Sequence, residues 1–451
     1  MTRSTSRGRS RPRADLLIRR AEQVVTLDGH SKRPVRGEIR EATLGIVEDG
    51  AVACVGDRIL AAGGTAEVEA AVAWDAGTIV IDARDRVVLP GWVDCHTHAI
   101  YAGDRAHEWA RRLRGESYLD ILRAGGGILE TVRATREADT ETLVRATVAR
   151  LRRMLALGTT TVEVKSGYAL SVEGELRLLQ ALQAVDELVP MQLVPTLLGA
   201  HAVPENHRAS PDAYVELVTE QMLPRIAATP GLAAFCDVFC EDGAFTAEQA
   251  RRILRRAREL GLGLKVHADQ FHATGAARVA AEMGAVSADH LNATPPDDLA
   301  AVARAGTVAV LLPAADLLAR PPGPAPVAVM RELGVPMALA TDHNPGTAPV
   351  ESMPLVMGLA CSWLGMTPEE AVAAATINGA HALALGHEVG SLEPGKRADL
   401  VVAQAASYLE IPYRLGVDLV RVVVSGGRVV RGGDGPEASA GLSPSGEEVE
   451  V

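Results

Sequence analysis

Aromatic side chains make up only 3% of the 451 residues. Platforms for single-stranded nucleic acid stack bases on aromatics, so that class of function is excluded. Basic charge is short as well. The 45 Lys+Arg stand against 57 Asp+Glu, a net charge of −12, the opposite of a phosphate-backbone binder. No apolar run reaches the ~18–20 residues a membrane helix needs, so no membrane partner is expected. The five cysteines, Cys54, Cys95, Cys236, Cys240 and Cys361, form no C-x-x-C pair and are odd in number. They read as free thiols in a reducing compartment, which points to the cytoplasm. Apolar residues, by contrast, are plentiful at 47%, enough for a large core and too many for a disordered chain.

The two ends differ from the rest. Residues 1–13 carry Arg3, Arg7, Arg9, Arg11 and Arg13 with Ser and Pro and no acid. They have neither the amphipathic pattern of a transit peptide nor the apolar stretch of a secretory signal, and read as a disordered tail. Residues 433–451 are Gly/Pro/Ser-rich and acidic, a second loose tail. Residues 14–89 hold short β runs such as QVVTL and TIVIDARDRVVLP, punctuated by Gly and Asp. The same texture returns in 388–432, with ADLVVA and LVRVVVSGGRVV. Two β-rich pieces from opposite ends predict one small β-sandwich, with residues 90–387 inserted between them.

The insert alternates differently. Eight apolar strand candidates, from LPGWVDCHTH to PMALATDHN, are mostly separated by helical patterns such as TAEQARRILRRARELG. Near-continuous apolar strands are those with both faces covered. Eight β–helix units over about 300 residues predict a (β/α)₈ barrel, whose reactive residues sit at the C-terminal strand ends.

Those ends carry the chemistry. The first strand ends in Asp94-Cys95-His96-Thr97-His98, the fifth at His267, the sixth at Asp289-His290 and the eighth at Asp342. In a strand, residues i and i+2 share a face, so His96 and His98 can converge on one ion. An isolated H-x-H is weak, but a barrel aims all four ends at one centre. Three imidazoles and a carboxylate suit one Zn²⁺ or Fe²⁺ with a position left for water. Asp342 is expected to take a proton from that water, and His290 to hydrogen-bond the reacting oxygen or move a proton. His30, His107, His207, His272, His343, His381 and His387 are expected to be structural or exposed. Lys165 raises the question of a second, lysine-bridged metal, but the fourth strand end offers only Cys240 and Glu241, so one metal is expected. Gly125, Gly126 and Gly127 lack the GK[ST] of a phosphate loop and read as a turn or a mobile cover.

With PGWVDCHTH, EVKSGY, GAHAVP, HADQF, SADHL and DHNPGT on view, the chain resembles the metal-dependent amidohydrolase superfamily, and within it the imidazolonepropionase family. The resemblance spans about residues 16–432. It implies a metal-dependent barrel with a sandwich from both ends, a homodimer, and a small-molecule substrate. The reaction implied is hydrolysis of 4-imidazolone-5-propanoate to N-formimidoyl-L-glutamate in histidine degradation. Carried over, His96, His98, His267 and Asp342 are the zinc or iron ligands. Arg105, Tyr168 and His201 are substrate contacts, and Asn344, Gly346 and Thr347 form the loop around the product. Some relatives have Glu where this chain has Gln270. An amide hydrogen-bonds the substrate ring but exchanges no proton near pH 7, leaving proton transfer to Asp342 and His290. An aminohydrolase acting on a nucleobase-like ring would use the same ligands, but would not need Arg105 to hold a carboxylate.

Overall fold

The computed structural model describes residues 11–116 and 126–432. Residues 1–10 of the tail expected at 1–13, the tail expected at 433–451, and Gly125 of the expected turn or cover lie outside the described residues; Gly127 opens the helix Ile128–Glu137. Pro12 and Arg13, assigned to the tail by composition, are already tied down. The Pro12 carbonyl accepts from Ala73 N, and Arg13 pairs with Asp75 at 2.9 Å.

The N-terminal part forms β1 (Leu16–Val25), β2 (Ile46–Val55), β3 (Arg58–Gly64), β4 (Ile79–Asp82) and β5 (Val87–Pro90). The barrel strands follow: β6 (Trp92–Asp94), β7 (Thr159–Lys165), β8 (Gln192–Ala200), β9 (Phe235–Cys240), β10 (Gly263–Ala268), β11 (Ser287–His290), β12 (Val308–Leu311) and β13 (Met337–Leu339). The chain then returns as β14 (Leu400–Ala403), β15 (Val420–Ser425) and β16 (Arg428–Arg431).

Antiparallel pairing of β14 with β5, Leu400 opposite Pro90, joins the two ends into one sheet of order β16-β15-β14-β5-β1-β2-β3, with β4 beside β1. Alternation along these strands sorts their side chains. Leu16, Ile18, Val52, Cys54, Leu400, Val402, Val422 and Val424 bury one another in a core of their own. Val87, Leu89, Val401 and Val423 turn the other way and join the core of the barrel, which fixes the sheet against it.

The barrel strands pair in parallel and in sequence order from β6 to β13. Closure occurs just beyond the last strand: Asp342 N donates to His96 O at 3.0 Å, and His98 N donates to His343 O at 2.8 Å. Asp94 reinforces the seam, accepting from Thr341 N and Oγ1 at 3.0 and 2.7 Å. The helices outside form for local reasons. Thr246 and Gln249 make a capping box at the start of Ala247–Glu259, which buries Ala250, Ile253, Leu254 and Ala257. Asp139 caps Thr140–Ala156, which buries Leu143, Leu151, Met154 and Leu155.

Candidate metal centre and substrate site

The strand ends converge as the barrel requires. His98 Nε2 lies 3.3 Å and His96 Nε2 lies 3.5 Å from Asp342 Oδ1, and His267 Nε2 lies 3.4 Å from His98 Nε2. His290 stands beside them, its ring 5.7 Å from that of His96 and 5.4 Å from that of His267. His290 and Asp342 both adopt left-handed backbone, with φ of 79° and 52°. Non-glycine residues hold that conformation at a cost, and it turns both side chains inward from the strand ends.

The donor set fits a divalent ion. His96 Nε2 is buried and has no hydrogen-bond partner among the described residues. Asp289 Oδ2 lies 2.5 Å from His96 Nδ1, and Asp237 Oδ2 lies 2.9 Å from His267 Nδ1. Asp289 accepts from His96 Nδ1–H and Asp237 pairs electrostatically with His267 Nδ1, which leaves both Nε2 atoms to face the centre. Ligands held about 2.0–2.2 Å from zinc in tetrahedral array stand about 3.3–3.6 Å apart, a range that holds the three spacings given above. Burial, with Lys165 and the other imidazoles adding to it, holds His96 well below the usual imidazole range, the protonation state a ligand needs.

Around this centre the other expected residues fall into two groups. His201 stacks on His98 at 4.9 Å and 17°, and its Nδ1 lies 3.1 Å from Gly167 O. That contact makes Nδ1 the donor and leaves Nε2 as an acceptor. The buried Tyr168 ring lies 6.0 Å from His98 and 5.2 Å from His201. Arg105 opens the helix Ala106–Leu113 and is buried; its Nη1 is 4.0 Å from Glu108 Oε2, and its Nε has no hydrogen-bond partner among the described residues. Its guanidinium packs over Gly346. Asn344 is committed to its own loop: Oδ1 accepts from Gly346 N and Thr347 N at 2.9 and 2.8 Å, and Nδ2 donates to Asp342 O at 2.7 Å. Gln270 is buried two residues past β10, between an Asp269 with φ of 49° and backbone amides at Phe271 and His272 that donate to Glu241.

Of the histidines set aside, His343 is buried, with Nδ1 3.1 Å from Val350 O and Nε2 3.3 Å from Tyr101 OH. Lys165 is not aimed at a second metal. Its Nζ sits 2.8 Å from both Glu163 Oε2 and Asp237 Oδ2. Burial opposes its charge, but Asp237, Glu163 and Asp289 outweigh burial and raise its pKa. Burial likewise opposes the charge of Asp237, yet His267 and Lys165 hold it well below the carboxylate range. Asp289 stands 3.8 Å from Lys165, and burial prevails there, raising it to about 6. The layer under the histidines is the part that motif reading missed. Its signal was present: Glu163 and Lys165, like Lys265 and His267, are ionisable pairs at period two in otherwise apolar strands.

Fold and donor set together define the class, a barrel hydrolase built around a divalent-metal site. The amidohydrolase family profile matches residues 87–430. The imidazolonepropionase of Symbiobacterium thermophilum is 49% identical over 416 residues, covering 92% of this chain and 97% of that protein. That of Geobacillus kaustophilus is 47% identical over 416 residues with the same coverages. The chain belongs to the amidohydrolase family, and within it to the imidazolonepropionases. Among solved structures, an adenosine deaminase from Xanthomonas campestris with bound zinc superposes with a TM-score of 0.68 at 20% identity, covering 94% of each chain. The Escherichia coli guanine deaminase gives 0.67 at 18% identity, covering 92% of this chain and 99% of that one. At such identities the likeness is one of fold.

Proposed function

We propose that this hydrolase opens the ring of 4-imidazolone-5-propanoate, giving N-formimidoyl-L-glutamate, with His96, His98, His267 and Asp342 holding one zinc or iron ion. The observation that carries the substrate is Arg105: a buried guanidinium beside the metal-site loop, its nearest acid among the described residues 4.0 Å away. A cationic fork in that position suits the propionate. When bound, the ion supplies Lewis acidity toward a carbonyl and a water of lowered pKa. Asp342 takes the proton of the attacking water and passes it on toward the departing ring nitrogen. His290 donates to the ring oxygen as charge builds there, where a preorganised donor is most effective. The His201 Nε2 lone pair accepts from a ring N–H, and Tyr168 and Thr347 offer hydroxyls to the polar edge. Gln270 orients the ring without exchanging a proton.

The expected domain division, with sandwich parts 14–89 and 388–432 around a barrel 90–387, belongs to this reading. So does a cytoplasmic homodimer. Buried free thiols such as Cys54, Cys95 and Cys236 support a reducing location, and no helix among the described residues is long and apolar enough to cross a membrane.

The test is turnover by the purified chain reconstituted with zinc or with iron. Ultraviolet loss of imidazolonepropionate and formation of N-formimidoylglutamate are expected. No turnover with either metal overturns the reading, and equal turnover of a ring lacking the propionate overturns the role of Arg105.

A further inference from the structure

Beneath the three imidazoles lies a layer of ionisable side chains that the proposed chemistry does not use. Glu163, Lys165, Asp237, Lys265 and Asp289 are all fully buried. They are linked in a chain. Asp289 Oδ2 meets His96 Nδ1 at 2.5 Å, and Asp237 Oδ2 meets His267 Nδ1 at 2.9 Å. Lys165 Nζ lies between them, 2.8 Å from Asp237 Oδ2 and 3.8 Å from Asp289 Oδ2, and 2.8 Å from Glu163 Oε2. Lys265 Nζ closes the layer from below, 3.0 Å from Glu163 Oε2 and 2.9 Å from Cys95 O. Thr196 Oγ1 donates to the other Glu163 oxygen at 2.5 Å.

We propose that Asp237 and Asp289 are positioning residues for the metal centre, and that Lys165 couples them as their shared counter-ion. The proposal rests on the metal reading above and goes one layer beneath it. A carboxylate accepting from Nδ1–H fixes which ring nitrogen faces the ion, locks the ring rotation and makes the ligating nitrogen a better donor. His96 has such a carboxylate in Asp289, and His267 has Asp237 in ion-pair contact with its Nδ1 at 2.9 Å. Among the described residues the buried Nδ1 of His98 has no hydrogen-bond partner, and the ion pair of His98 is made through Nε2 with Asp342. Two carboxylates in a dry barrel need a cation, and Lys165 reaches both. The layer holds three carboxylates against two ammonium groups. That excess of negative charge under neutral imidazoles favours a cation above them. Lys165 therefore acts on the ion through the histidines, from a position where it cannot bridge two metals.

The test is zinc affinity of metal-free protein, measured in competition with a chromophoric chelator, together with the visible spectrum of the cobalt(II)-loaded protein. The variants are D237N, D289N, D237N/D289N and K165M. Asn keeps an oxygen near Nδ1 but loses the charge, so each single variant should bind zinc about 10–100-fold more weakly and shift the cobalt bands. The double variant should lose less than the product of the singles, and K165M should resemble it, because both aspartates act through one cation. E370Q, which breaks the Glu370–Arg331 pair away from the barrel centre, controls for stability and should keep wild-type zinc affinity. Should an Asn variant fail to fold without metal, D237E and D289E carry the test. They keep the charge but displace it, and must still shift the cobalt spectrum. Zinc uptake by wild type with unchanged affinity and spectrum in folded D237N and D289N overturns this proposal alone. Failure of wild type itself to take up zinc overturns the metal reading and this proposal with it.

Discussion

The guanidinium of Arg105 occupies the space that a Cβ on residue 346 would need, so Gly346 and Arg105 are a matched pair across the site mouth. Arg112 Nη2 donates to Gly346 O at 3.0 Å, holding the loop against that guanidinium. Gly346→Ala should push Arg105 out of place. The expected outcome is a raised KM with metal content unchanged and a smaller effect on kcat. Arg105→Ala should cost about 2–4 kcal/mol in kcat/KM if the pair with the propionate is desolvated, and Arg105→Lys less. Steady-state kinetics with metal analysis on the same samples decides the matter. Unchanged kinetics in all three variants would mean that the carboxylate is held elsewhere.

His267→Ala removes one of the four proposed ligands, the one whose Nε2 stands 3.4 Å from His98 Nε2. Bound metal should fall well below one per chain, and activity with it. The measurement is elemental analysis after passage over a chelating column. Full stoichiometric metal at full rate would remove His267 from the ligand set.

His290 is a sharper probe of the contact with the reacting oxygen, because its loss leaves the four proposed ligands in place. Burial pushes its pKa down to about 3, and a cation at the centre acts in the same direction. It is therefore neutral at pH 7 and donates as an imidazole. His290→Asn should lower kcat by about 10²–10⁴-fold with metal retained. The wild-type rate should show no acid limb from His290 above about pH 4. A near-normal kcat in the metal-loaded variant would reduce His290 to a positioning role.

The convergence of His96, His98, His267 and Asp342 was legible in the sequence because each terminates an apolar run, and a barrel brings all strand ends to one rim. The closing contacts were not. Asp342 lies three residues past β13, and its backbone bond to His96, with that of His98 to His343, shows how the last strand reaches the first. The layer of Glu163, Lys165, Asp237, Lys265 and Asp289 was equally hidden, since its meaning depends on which strands become neighbours. The bonds of Asn344 were not legible either: its amide shapes the loop that presents Gly346 and Thr347. Tail boundaries drawn from composition slipped by a residue or two at Pro12 and Arg13, where one backbone bond and one ion pair outweigh the local bias.

Asp316 gives a prediction independent of metal. It lies in the helix Pro313–Ala319, with Oδ2 accepting from Asn292 Nδ2 at 2.8 Å and Oδ1 buried without a hydrogen-bond partner among the described residues. Burial raises its pKa to about 7; the Asn292 bond opposes that shift and Asp342 adds to it. In the unfolded chain an aspartate titrates near ~3.9. Between those values the folded protein holds a proton that the unfolded chain has lost, so stability falls as pH rises. The contribution is fully present below about pH 4 and is lost as pH rises through about 7. A shift of roughly three units amounts to about 4 kcal/mol across that window. Asp316→Asn stays neutral throughout. Its stability relative to wild type should therefore climb by up to about 4 kcal/mol between pH 4 and pH 8 and level off beyond. Urea unfolding of both proteins in the presence of a chelator, at four or five pH values, measures the difference directly. A difference that stays constant across that range would mean that Asp316 is ionised in the folded protein at all of them, with a partner for Oδ1 that accommodates its charge.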